Sequence, residues 1–101
     1  MNNFFKGAFY FDPKEKIFEN HFKEAPVVPG SMIIGCFLQE IKKIKDSSIP
    51  DLKVKNFSFL KFIPPGIYKF KIIFKKNHVI CELYKNGEIV SKGKVIINNG
   101  K

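Results

Sequence analysis

His21 is the side chain of this sequence best suited to move a proton, and it stands shortly ahead of a Pro29-Gly30-Ser31 step. A neutral imidazole abstracts protons near neutral pH, and a loop stiffened by Pro26 and Pro29 can hold it at one angle. Gly30 lets a ligand approach the backbone closely. Where a helix starts at such a step, its free N–H groups point at that ligand and favour developing negative charge. A base beside an oxyanion site is what enolising an acyl thioester requires. On spacing alone, the commoner role of such a histidine is to tie down its own loop. The other candidates are weaker. His78 follows Asn77 and reads as a surface turn residue at a strand start, and Cys36 reads as core. Neither His–His nor His–Cys spacing suggests a metal site.

The elements that must position these residues follow from hydrophobic periodicity. Ser31 to Lys45 is the one convincing helix. Met32-Ile33-Ile34-Gly35-Cys36-Phe37-Leu38 is apolar on every side, and only then do Ile41 and Ile44 oppose Lys42, Lys43 and Lys45. A helix that is apolar all round must be surrounded by protein, and here the strands that follow are the available wrapping. Asp46-Ser47-Ser48 and Ile49-Pro50 stop it. Ahead of it, Asn3–Asp12 alternates as a strand with Phe5, Gly7, Phe9 and Phe11 on one face, and Asp12-Pro13 opens a turn. Residues 17–30 have prolines and no helical period, and are expected to form an ordered loop that uses Phe18, Phe22, Val27 and Val28.

From Lys53 onward the pattern is strands. One is expected around Phe57–Phe62, ended by Pro64-Pro65-Gly66. The next places Tyr68, Phe70, Ile72 and Phe74 on one face, and Val79, Cys81 and Leu83 follow. Asn86-Gly87 marks a type I′ hairpin turn, whose two central residues need positive φ, and Glu88–Ile97 returns antiparallel. The layout is one α+β domain: a curved antiparallel sheet, expected as a meander, wrapped around a single apolar helix. That is the hotdog fold. Its open edge and uncovered face make dimerisation the expected remedy.

At 101 residues the chain has room for one core but not for a separate cofactor domain. A 45% hydrophobic content with twelve Phe argues against disorder. No apolar run reaches the roughly 18 residues of a membrane helix, and with no basic stretch followed by an apolar one at Met1–Lys6 no secretory signal is expected. Two cysteines do not make a disulfide framework, so a cytoplasmic setting is expected. All eighteen basic residues are lysines. Residues 1–51 hold seven lysines and seven acids, whereas residues 52–101 hold eleven lysines and two acids, which is the whole net charge of +9. A basic half attracts something anionic, although a solvated lysine face is the plainer alternative. Sequence-reading DNA contacts lean on bidentate arginine, which is absent, while nonspecific phosphate binding by lysine stays open. Neither nucleic acid nor a membrane is the expected partner.

The string from His21-Phe22 through Pro26-Val27-Val28-Pro29-Gly30-Ser31 to Gly35 and Gln39 resembles the active-site motif of the beta-hydroxyacyl-acyl-carrier-protein dehydratases, the FabA/FabZ family. That motif reads H-F-x-G-x-P-x-x-P-G-x-x-x-x-(E/D)-x-x-x-Q. The likeness continues through Asn56–Gly66, similar to the family's strand with its Pro-Gly turn, and through Glu82–Gly93, similar to its terminal hairpin. The resemblance runs from about residue 3 to residue 97, and implies a hotdog dimer or larger even oligomer handling acyl chains on the phosphopantetheine arm of acyl carrier protein, or on coenzyme A. It implies no cofactor of the protein's own. By that resemblance His21 takes the α-proton of a 3-hydroxyacyl thioester, the Gly30 N–H holds the thioester carbonyl, and a carbonyl such as that of Val27 orients His21. Ser31 and Gln39 complete the substrate-binding set. Acyl carrier protein is acidic, which suits the lysine-rich half.

The sequence also departs from the motif. The family's helix carboxylate, which protonates the leaving hydroxyl, falls on Gly35. Gln39 shares that helix face, but an amide cannot donate a proton as an acid does. Lys23-Glu24 replaces the usual Pro-Gly after His-Phe. The resemblance begins at a strand, so the family's opening helix and first strand are expected to be missing. The chain is therefore either a dehydratase that manages without the carboxylate, or a silent acyl-chain binder or heterodimer subunit whose partner supplies it. A thioesterase of the same fold and a lysine-mediated nucleic-acid binder rank below these.

Overall fold

The structure is a computed structural model, and it describes residues 3–15, 26–45 and 51–98. Strand β1 spans Phe4–Phe11, helix α1 Gly30–Ile44, β2 Asp51–Phe59, β3 Gly66–Phe74, β4 His78–Lys85 and β5 Glu88–Asn98. Every strand pairing is antiparallel, and the order across the sheet is β1-β3-β4-β5-β2. The α+β class and the hotdog arrangement follow as expected, but the sheet is not a simple meander. Only β3, β4 and β5 are consecutive neighbours. Strand β2 crosses to the far edge beside β5, and β1 takes the opposite edge beside β3.

Alternation explains the three central strands. Tyr68, Phe70, Ile72 and Phe74 point inward from β3, and the register sets Ile72 opposite Cys81 and Phe70 opposite Leu83. β-Branched and aromatic side chains suit such a half-covered pleated surface. The β4–β5 turn has φ of 53° at Asn86 and 80° at Gly87, the positive pair that its sequence demands. The strand expected to reach Phe62 stops at Phe59. One further bond carries the pairing with β5 just past its end, from the Leu60 N–H to the Val90 carbonyl at 2.9 Å, the next residue in register after Phe59 and Ser91.

The helix lies on the inner face through Ile33, Phe37 and Ile41, all fully buried. Phe37 is the hub. Its ring centroid lies 5.1 Å from Phe9, 5.9 Å from Phe57 and 6.1 Å from Phe70, so one helical side chain meets rings from β1, β2 and β3. Such ring pairs each contribute about 0.5–1.5 kcal/mol beyond their buried area. The Phe57 ring in turn packs over Gly93, where a larger residue would collide. Only this one stripe of α1 is completely covered. Ile34, Cys36 and Leu38 are half-buried, so the described residues do not surround the helix as its composition led one to expect.

Candidate functional site

The site is built where α1 begins. Pro29 precedes the helix with φ −62° and ψ 144°, and no side chain caps it. The Pro29 carbonyl accepts the N–H of Met32 at 3.0 Å and of Ile33 at 3.3 Å. The N–H groups of Gly30 and Ser31 have no partner among the described residues. The first turn carries no acid, while Lys42 and Lys43 sit in the last. The positive end of the helix dipole therefore meets no acid in its own first turn, and the negative end is balanced.

The segment entering the helix runs beside the segment leaving β2. The Val28 N–H donates to the Ile63 carbonyl at 2.7 Å, and Tyr68 Oη donates to the Pro64 carbonyl at 2.6 Å. Lys61 Nζ lies 2.6 Å from Glu88 Oε1, which ties this segment to the β4–β5 hairpin. That hydrogen bond and the lysine's charge hold the Glu88 carboxyl below its ordinary range. Between the two segments opens a cleft of about 580 Å³, walled by Val27, Gly30, Phe59, Leu60, Phe62 and Ile63. Its rim is apolar and largely bare: Phe59 is 42% exposed, Leu60 51% and Phe62 85%. Phe59 lies directly on the first residue of the helix. A Cβ on Gly30 would sit 2.8 Å from its Cζ and 2.9 Å from its Cε2, so glycine is what lets the ring close the cleft there.

Of the residues singled out in the sequence, Gly30 and Val27 line this cleft. Ser31 is exposed on the first turn beside it. Gln39 is exposed further along α1, about 13 Å down the axis from Gly30 at 1.5 Å per residue. It does not reach the cleft within one chain. His21 and Glu24 lie outside the described residues. Gly35 is on the side of α1 away from the Ile33–Phe37–Ile41 stripe, and a Cβ placed there meets nothing within 4 Å. Burial, and then Glu40, raise the Cys36 thiol, while burial pushes Cys81 up to about 12. Neither is poised as a nucleophile. Among the described residues no group of three or more His, Cys, Asp or Glu could hold a metal ion.

Sequence reasoning missed Phe59, Leu60 and Phe62 as cleft walls. The spacing of Phe57 and Phe59 puts both on one strand face, but nothing local says that the second ring covers Gly30.

Residues 2–94 match the family model described as ApeI-like, ApeI dehydratase. The chain belongs to the ApeI-like dehydratase family. The dehydratase relationship expected from the motif thus holds at the level of this family. Two solved structures share the fold of this ApeI-like chain. One is the dehydratase heterocomplex ApeI:P from Xenorhabdus doucetiae, with a TM-score of 0.77 and 20% identity over 93% of this chain and 86% of that one. The other is an uncharacterized protein from Erwinia carotovora subsp. atroseptica, with a TM-score of 0.82 and 18% identity over 98% and 86%. No curated protein matches. No helix among the described residues is long and apolar enough to cross a membrane.

Proposed function

We propose that this ApeI-like chain acts on 3-hydroxyacyl thioesters as a dehydratase of the FabA/FabZ kind, removing water syn to give the trans-2-enoyl product. One observation carries the reading: an uncapped, acid-free helix start opens onto an apolar cleft. In this reading the thioester carbonyl sits at the Gly30 N–H, where negative charge develops as the α-proton leaves for His21. The Val27 carbonyl accepts no backbone hydrogen bond from the described residues, which leaves it available to orient the His21 ring. The acyl chain follows the cleft past Phe59 and Ile63. Acyl carrier protein, or coenzyme A, brings the thioester on its phosphopantetheine arm. The free thiols Cys36 and Cys81 fit a cytoplasmic setting.

The bare rim at Phe59, Leu60 and Phe62 and the open edge of β2 support a second chain beside the first. Gly35 favours a second reading, in which that neighbour is a different protein that supplies the missing carboxylate. The open space beside Gly35 would admit such a group, and a related structure is a heterocomplex. The two readings part in one assay. Purified protein should interconvert 3-hydroxybutyryl- and crotonyl-acyl carrier protein, and His21→Ala should not. A wild type that is inert alone but binds the crotonyl thioester favours the partner-dependent subunit. One that neither turns over nor binds refutes both.

A further inference from the structure

A second anion-attracting place lies on the outer face of the sheet, away from the helix, and shares no residue with the Gly30 cleft. Lys6 on β1 stands directly opposite Lys71 on β3, with Lys69 opposite Ala8. Like charges directly opposed across strands destabilise a sheet, so this pair costs stability in the free protein. Both ammonium groups are nonetheless gathered at one ring, Lys6 Nζ 5.6 Å and Lys71 Nζ 5.5 Å from the Phe4 centroid. The acid opposite Lys71 is Glu82, and it does not pair with that lysine. It accepts the Tyr84 hydroxyl at 2.7 Å instead. Lys85 stands at the other end of the depression, toward Ile67, its Nζ donating to the Ile67 carbonyl at 2.9 Å and lying 4.9 Å from the Tyr68 ring. One contact leaves an ammonium further N–H donors to offer. Lys6, Lys69, Lys71 and Lys85, with Tyr84 and Asn86, line an open depression of about 690 Å³.

We infer that this depression binds a phosphate-bearing ligand of two or more negative charges, held by Lys6, Lys69, Lys71 and Lys85. Lysines bind phosphate as point charges, and several of them lining one depression match an anion that carries more than one charge. The volume suits a small ligand. The inference does not depend on the dehydratase reading.

Pyrophosphate is the probe. Calorimetric titration should give saturable binding to the intact protein that weakens with salt. A Lys6→Gln, Lys71→Gln double variant should bind about tenfold or more weakly, given the weight of hydrogen bonds to charged groups. Lys42→Gln, Lys43→Gln on the helix removes the same charge and should bind as wild type does. The sheet variant should melt no lower than wild type, because it relieves a repulsion. A second arm sediments the protein with phosphatidylcholine vesicles, with and without phosphatidylglycerol. Binding to the anionic vesicles that pyrophosphate displaces, and that the sheet variant loses, supports the site and makes its phosphate a lipid headgroup. Pyrophosphate binding without vesicle binding supports it with a soluble ligand. Vesicle binding indifferent to pyrophosphate makes the ligand a soluble one, and no saturable pyrophosphate binding, or equal weakening in both double variants, overturns the inference.

Discussion

Gly35→Glu bears on two claims at once. A mid-helix glycine is about 1 kcal/mol worse than alanine, and glutamate recovers roughly half of that. The new side chain starts in open space, since a Cβ at residue 35 meets nothing within 4 Å. No steric term therefore opposes the gain, and the monomer should be more stable by about 0.5 kcal/mol. For a domain near this size that is roughly 2–4 °C in Tm. The functional effect is larger. General acid help is typically worth about 10²–10⁴ in rate, or roughly 3–5 kcal/mol of barrier. If the carboxylate is what the chain lacks, the variant should dehydrate 3-hydroxybutyryl-acyl carrier protein faster by a factor in that range. The assays are a thermal melt with sedimentation velocity, and a spectrophotometric progress curve for the enoyl product. A variant that is monomeric yet melts several degrees lower would show that the side of α1 at Gly35 is not open. A stable variant with no rate gain, from an active wild type, would show that no acid is wanting there.

Gly30→Ala should do the opposite to stability. Its Cβ would press on the Phe59 ring at 2.8 Å, and because that ring is half exposed and can yield, the overpacking costs about 1 kcal/mol, the low end for such insertions. Chemical denaturation measures it, and an unchanged midpoint would mean that the ring does not lie on Gly30. Cys81, fully buried, should resist a thiol reagent at pH 8 until the protein is unfolded, with half-buried Cys36 reacting first. Equal native rates would contradict that burial. The Cys81 thiol also gives stability a pH slope. Its folded value is about 12 against an ordinary 9.0, so the contribution is intact below pH 9 and declines as pH rises from there toward 12. Cys81→Ala should remove that part of the alkaline slope in denaturation curves, and an identical slope would disprove it.

Much of the fold was legible because alternation in Gly66–Phe74 and His78–Lys85, and the Asn86-Gly87 turn, each specify their structure locally. The place of β2 was not. Nothing in Asp51–Phe59 chooses between neighbours, and its partner β5 lies more than a strand away in sequence. The end of β2 was misjudged because Phe62 continues the apolar pattern, while the pairing with β5 ends at Leu60 and Ile63 already accepts the Val28 N–H of the segment entering the helix. The helix shows a different limit. Its composition says that it must be covered, but composition does not separate cover by the same chain from cover by another. Ile33, Phe37 and Ile41 are covered by the sheet, and Gly35 and Gln39 are not. At the site, Pro29-Gly30 announced a helix start, whereas the Phe59 ring over it is a tertiary fact with no local signal.

The central claim is that a base removes an α-proton beside the Gly30 N–H, and this step needs no helix carboxylate. It is tested most directly by exchange at C2 of a 3-hydroxybutyryl thioester in D₂O, followed by NMR. Wild type and Gly35→Glu should both incorporate deuterium, and His21→Ala should slow the exchange by about 10²-fold or more. Exchange that is equally fast in His21→Ala, or absent from wild type while the thioester is bound, would contradict the account.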